Sequence, residues 1–256
     1  MPGKVSTPLF IADWLDVIFV HFRVDAGRLA GIVPLPLDLH RGEAFVSLVA
    51  FTQSRLRPAR GGRVGELLLA PLARHEFLNV RTYVRRGDVR GIFFLAEWIP
   101  NRLATLIGPR MYGLPYRLGR LRYEKLSRRV EARGGRLSFA ISPPGEPAPA
   151  AAGTLDHFLA ERYTAFTSRG GVTRRFDVDH APWPIARVAP VLTDSSLLSL
   201  TGDWWQDGAG AQIVAAHYSP GVLDVTMSPP LRLASATSDQ YTAACMMLEP
   251  GRMRTS

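Results

Sequence analysis

Two apolar strings near the start of the chain, WLDVIFVHF at residues 14–22 and AFVSLVAFTQ at residues 44–53, limit what it can fold into. Both are dense in β-branched and aromatic side chains, which fit a pleated, packed surface better than a helix. Both are also apolar on each side of the strand. In the second, Phe45, Ser47 and Val49 share one face and Ala44, Val46 and Leu48 the other. A strand that faces water on one side alternates apolar with polar residues, so strands like these need cover on both faces, as in the wall of a barrel or sandwich.

The rest of the chain repeats this theme with short helical interruptions. VDAGRLAGIVP predicts a brief helical turn capped by Asp25 and ended by Pro34. PLPLDLHRGEAFVSLVAFTQSRL predicts two strands around the Arg41-Gly42 turn. FLNVRTYVRRGDVRGIFFLAEW, residues 77–98, is the clearest hairpin. In NRLATLIGPRMYG, Leu103, Leu106, Ile107 and Met111 fall at helical spacing, and Gly108-Pro109 should end or kink the helix. A further hairpin, VEARGGRLSFAI, a Pro/Ala-rich excursion at 143–153, a short helix capped by Thr154, and the strands TAFT and RRFDVDH follow. The last ordered block runs from Val188 through HYSPGVLDVTMSPP. The expected organisation is one β-rich α+β domain over residues 1–235 and a loosely ordered tail at 236–256, with no repeat of fixed period.

A hydrophobic fraction of 46% in 256 residues is ample for a core. Asp13 and Asp16 interrupt the first apolar stretch, no basic segment precedes it, and no apolar run reaches the ~18–20 residues of a membrane helix, so a soluble cytoplasmic protein with no membrane partner is expected. Cys245 is the only cysteine, which excludes an intrachain disulfide and a cysteine-rich zinc site. The net charge of +9 is carried almost wholly by arginines, many at hairpin ends such as Arg85, Arg86 and Arg90. No basic stripe is interleaved with aromatics, so nucleic acid is not the expected partner.

Three residues on one face of the 77–98 hairpin, Asn79, Arg81 and Tyr83, oppose Leu78, Val80 and Thr82. Their row reads either as a solvent face or as a polar pocket wall. Glu97, after a strongly apolar strand, is either a buried carboxyl with a raised pKa or a strand-end glutamate facing water. Glu161 and Arg162 are expected to pair structurally. His21, His180 and His217 form no metal spacing, and neither a GxSxG elbow nor a HExxH string occurs, so no metal or cofactor is expected.

The segment GPRMYGLPYRLGRLR, residues 108–122, resembles the active-site loop of acetoacetate decarboxylase, where a Gly/aromatic-Pro turn precedes two adjacent lysines, one forming a Schiff base and the other lowering its pKa. Tyr116 and Arg117 stand at the lysine positions here. Neither a phenol nor a guanidinium can form an imine, and the only lysines are Lys4, near the N-terminus, and Lys125, in the polar EKLSRR turn. DVIFVHFRVD, IVPLPLDL, FLNVRTYV, GLPYRLGRLRY, DHFLAERYTAFT, HAPWP and HYSPGV together resemble the YqjF-like family of the acetoacetate decarboxylase-like superfamily, over most of the chain. The resemblance implies a single closed β barrel with a few short helices and a central cavity. It also favours the pocket reading of Asn79, Arg81 and Tyr83, and implies that Tyr116 and Arg117 face the same cavity, Arg117 as a bidentate carboxylate clamp and Tyr116 as hydrogen-bond donor or general acid.

The expected function is therefore binding of a small, anionic or carbonyl-bearing organic molecule, by an enzyme of lyase or cyclase type without a lysine Schiff base. Tyr116 and Glu97 would move protons, and Asn79, Arg81, Tyr83 and Arg117 would hold substrate. A non-catalytic carrier or sensor with the same pocket is the alternative and a nucleic-acid accessory the weaker one; homo-oligomerisation is left open.

Overall fold

Fourteen strands and four short helices build the computed structural model, which describes residues 7–208 and 210–234. The sheet is laid down as β1 (Phe10–Val24), β2 (Ala44–Pro58), β3 (His75–Arg86), β4 (Val89–Ile99), β5 (Tyr116–Tyr123), β6 (Ser127–Ala132), β7 (Gly135–Ile141) and the short β8 (Ala148–Pro149). After these come β9 (Thr164–Arg169), β10 (Val172–Asp179), β11 (Pro184–Arg187), β12 (Pro190–Asp194), β13 (Gln212–Met227) and β14 (Leu231–Arg232). Helices α1 (Ala26–Ala30), α2 (Gly62–Leu69), α3 (Arg102–Met111) and α4 (Leu155–Ala160) interrupt them. The expected β-rich class with few short helices is what the chain adopts. The tail expected at 236–256, and Lys4 and Cys245, lie outside the described residues.

The main run of paired strands is β4-β3-β2-β1-β13. β10 pairs with β13 through Val178↔Met227, β9 pairs with β10, and β9 runs parallel to β4 through Ile92↔Ala165. These pairings lead from β13 back to β4. The β4–β9 approach requires Gly91: a Cβ there would stand 2.5 Å from the Thr164 carbonyl oxygen.

Both faces of the run are buried, as its composition demands. On one face Ile18, Val20, Leu48, Val80 and Trp98 pack under Leu121, Val130 and Phe139 of the β5-β6-β7 sheet. On the other, Phe19, Phe45, Val49 and Phe94 pack with Phe158 of α4, Phe176 of β10 and Trp183. At ~25 cal/mol per Å² of apolar surface, two such layers supply the main drive to fold.

Two local expectations differ. PLPLDLH forms no strand; it contributes only isolated bridges, Leu37↔Val84 and His40↔Glu43. Helix α3, capped by the Asn101 side chain on Leu103 and Ala104 N–H, carries on through Gly108-Pro109, because a proline so near the C-terminal end forfeits a single backbone bond. Of its periodic apolar residues Leu103 and Leu106 are 43% and 51% exposed, whereas Ala104 and Pro109 are buried.

Candidate active site

Strand register assembles the site. Across the sheet, His217, Phe19, Val49, Asn79, Glu97 and Tyr116 stand opposite one another in one row. The next row on the same face holds Ala215, His21, Ser47, Arg81 and Phe94. Side chains two apart on a strand share a face, so both rows point the same way. Glu97 belongs there because of a β-bulge between the pairs Val80↔Ala96 and Arg81↔Phe94. Leu95 and Ala96 both turn to the opposite layer, and Glu97 regains the side of Ile92 and Phe94.

A cavity of about 80 Å³ lies on this face, and Asn79, Arg81, Glu97 and Tyr116 all line it. Asn79 and Arg81 thus do not face solvent: they are 7% exposed each, and Glu97 is 3%. Arg81 Nε and Nη2, Glu97 Oε2 and Asn79 Oδ1 find no hydrogen-bond partner among the described residues. Arg81 makes no ion pair among the described residues; its guanidinium lies over the Phe19 ring, 5.8 Å from the centroid. Burial pushes the Glu97 carboxyl well above the usual carboxylate range, against the pull of Arg81. Burial likewise raises the Tyr116 phenol, with help from Glu97 and Tyr112, and lowers the Arg81 guanidinium from its ordinary value. The wall thus offers a fixed cation and two proton-bearing donors.

Two expected site residues stand elsewhere. Arg117 follows Tyr116 on a strand, not a loop, so it takes the opposite face: it lies over Trp98 at 5.3 Å and donates to the Leu200 carbonyl at 2.9 Å, outside the cavity. Tyr83 keeps the predicted face but does not line the cavity. Its hydroxyl donates to the Leu159 carbonyl at 2.8 Å and lies 2.6 Å from Ser47 Oγ. The expected Glu161–Arg162 pair is also absent. Glu161 accepts from Trp183 N–H and the Tyr163 hydroxyl, while Arg162 donates to Asp38 at 3.1 Å and covers the Phe158 ring.

Sequence reasoning missed a buried chain of polar groups behind the cavity. Ser47 Oγ lies 2.6 Å from His21 Nδ1, and His21 Nε2 lies 3.2 Å from His217 Nδ1. His217 Nε2 is 3.2 Å from Asp156 Oδ1, near but not aligned as a hydrogen bond. Because the Leu159 carbonyl only accepts, Tyr83 must donate to it, Ser47 to Tyr83, His21 to Ser47, and His217 to a neutral His21. Burial lowers both imidazoles, His21 furthest, so the neutral form is the stable one. The signal was present in Phe19/His21 alternation on β1, but the partners are 196 residues apart. His180, discounted as a lone histidine, lines the cavity beside Trp14 and Trp183, and burial keeps it neutral too. Among the described residues no group of His, Cys, Asp or Glu is placed to hold a metal.

The β framework is that of the acetoacetate decarboxylase-like proteins. The chain superposes on acetoacetate decarboxylase with a TM-score of 0.62 at 13% identity, covering 92% of this chain and 97% of that one. An acetoacetate decarboxylase-like enzyme from Sphingomonas wittichii RW1 gives 0.58 at 17% identity, over 92% and 97%. The enduracididine biosynthesis enzyme MppR complexed with pyruvate gives 0.56 at 11%, over 92% and 93%. At these identities the likeness carries the fold alone. Within that fold the chain belongs to the DUF2071 family, described as "Uncharacterized conserved protein", whose profile matches residues 11–223. It is 32% identical over 180 residues to the uncharacterized protein YqjF of Bacillus subtilis (strain 168), covering 66% of this chain and 72% of that one.

Proposed function

We propose that this protein is an enzyme that binds a small carboxylate bearing a carbonyl group and carries it through an enol-type intermediate, in lyase or cyclase chemistry, without an imine. The observation that carries this reading is the pair of unpartnered Arg81 donors, Nε and Nη2, in one cavity with the unpartnered Glu97 Oε2 and Asn79 Oδ1. Leaving such buried groups unsatisfied costs about 1–3 kcal/mol each, more when charged, and a ligand carboxylate repays that by taking Nε and Nη2 in a fork. An un-ionised Glu97 and the Tyr116 phenol can donate to a carbonyl oxygen as charge develops on it, and neutral His180 can take the proton lost from carbon. No lysine lines the cavity; Lys125 is exposed in the β5–β6 turn. The circuit of strand pairings supports reading the framework as a closed barrel with this cavity at its interior. A space of about 80 Å³ matches roughly three waters' share of liquid volume, which suits the head of a small oxo acid.

Thermal-shift titration with pyruvate and 2-oxobutanoate tests the reading. The wild type should be stabilised and Arg81→Met should not; equal shifts in both would refute it. Binding without turnover would move weight to a carrier or sensor with the same pocket.

A further inference from the structure

A second cavity, of about 300 Å³, adjoins the first and differs from it in character. Gln53, Phe77, Leu114, Tyr116, Phe176 and Met227 line both, so the two share a wall. Beyond that partition the walls are apolar: Phe10, Leu56, Leu69, Leu72, Ile107 and Met111. His75, the one imidazole of its lining, is held uncharged, its pKa lowered to about 4 chiefly by burial, and burial likewise raises the Tyr112 phenol so that it stays neutral. Tyr116 is held at the partition from behind, because Gly108 of α3 lies against its ring so closely that a Cβ would stand 2.3 Å from Cε2. On the other side the Phe77 ring meets it edge-on at 6.0 Å.

This arrangement explains the apolar residues of α3 that leave the core unfilled. Ile107 and Met111 are 36% and 37% exposed, yet they roof a space with room for on the order of ten methylene-sized groups. Apolar space that adjoins a cavity holding a buried cation with two unpartnered donors is the layout required by an amphipathic ligand.

We infer that the second cavity is the tail compartment of the same substrate site: the ligand is an oxo acid carrying an alkyl or aryl chain, with its head on Arg81, Asn79 and Glu97 and its chain passing Tyr116 to lie under α3. The inference rests on the head-group reading above, and it narrows the substrate from any small carbonyl acid to one with an apolar extension. Tyr116 then has two roles, as a donor to the head and as the gatepost for the tail.

A homologous series tests it: pyruvate, 2-oxohexanoate, 2-oxooctanoate and 2-oxodecanoate, titrated calorimetrically against the full chain. Affinity should rise roughly three- to fourfold per methylene up to the longer members. Ile107→Trp fills the compartment and should flatten that slope; Met111→Phe serves if the first variant does not fold. Arg81→Met should abolish binding of every member. Pyruvate binding with no gain on lengthening would overturn the tail compartment and leave the head site standing. No binding of any member would overturn the head site itself. A slope unchanged in Ile107→Trp and Met111→Phe would place the chain elsewhere and refute the inference, and a slope that survives Arg81→Met would make the second cavity an independent apolar site, which also refutes it.

Discussion

A guanidinium with two donors lacking acceptors, buried beside an un-ionised carboxyl, lowers the stability of the chain that carries it. Removing either group should therefore harm function without harming the fold. Glu97 is the clearer case, because its sign can be worked out. Its folded pKa lies above that of the unfolded chain, so above about pH 4.5 the unfolded state releases a proton that the folded state retains, and stability falls as pH rises. Glu97→Gln should match the wild type in melting temperature near pH 4 and exceed it increasingly toward pH 8, while turnover of an oxo acid drops at least 100-fold. A melting temperature lower than wild type at pH 8 would contradict this assignment. The imidazoles act in the opposite sense: their folded values are depressed, so stability is lost as pH falls below the unfolded value of about 6.5. His75, lowered to about 4, accounts for about 3 kcal/mol of that loss between pH 6.5 and 4. His75→Phe should visibly flatten the acid limb of the melting curve against pH.

At the scale of elements, what the sequence made legible followed alternation, and what it hid followed departures from it. Asn79 and Arg81 could be placed on one face because β3 alternates without a break. Glu97 could be suspected as buried, but its side of the sheet depends on the bulge at Leu95, which FFLAEW does not announce. Arg117 was paired with Tyr116 only because residues 108–122 read as a loop; once β5 begins at Tyr116, neighbours must part. Arg117→Lys should accordingly leave oxo-acid affinity within about twofold of wild type, while costing about 0.5–1 kcal/mol of stability through its contact with Trp98. A tenfold affinity loss would return Arg117 to the site. Gly108 shows the coupling of α3 to β5. Gly108→Ala should cost about 1–3 kcal/mol by driving a methyl into the Tyr116 ring, and Tyr116→Ala in the same chain should recover most of it. Additive losses in that double-mutant cycle would mean that the two do not press on each other.

For the molecule as a whole, the family's fold was legible from the order of its strings, whereas the site's full membership was not. His21 and His217 meet only when β13 pairs with β1, and β4 and β9 only when the pairings return from β13 to β4; nothing local encodes contacts over such separations. Gly91 is where this return is most exposed to change. Gly91→Ala would set a methyl against backbone, which cannot rotate away, and should cost about 3 kcal/mol or more with loss of ligand binding. What the fold shares with its decarboxylase-like neighbours is the strand framework, and in this chain one face of that framework carries a buried polar wall. The amine that would make that wall an imine-forming one has no counterpart in the cavity lining, and the cation that remains is one that cannot react.

Native mass spectrometry of the wild type and Arg81→Met with a 2-oxo acid, each with and without borohydride, tests this account most directly. It predicts a non-covalent complex in the wild type that Arg81→Met loses, and no added mass after reduction and denaturation of either. A reduced covalent adduct on lysine, or a complex that persists undiminished in Arg81→Met, would contradict it.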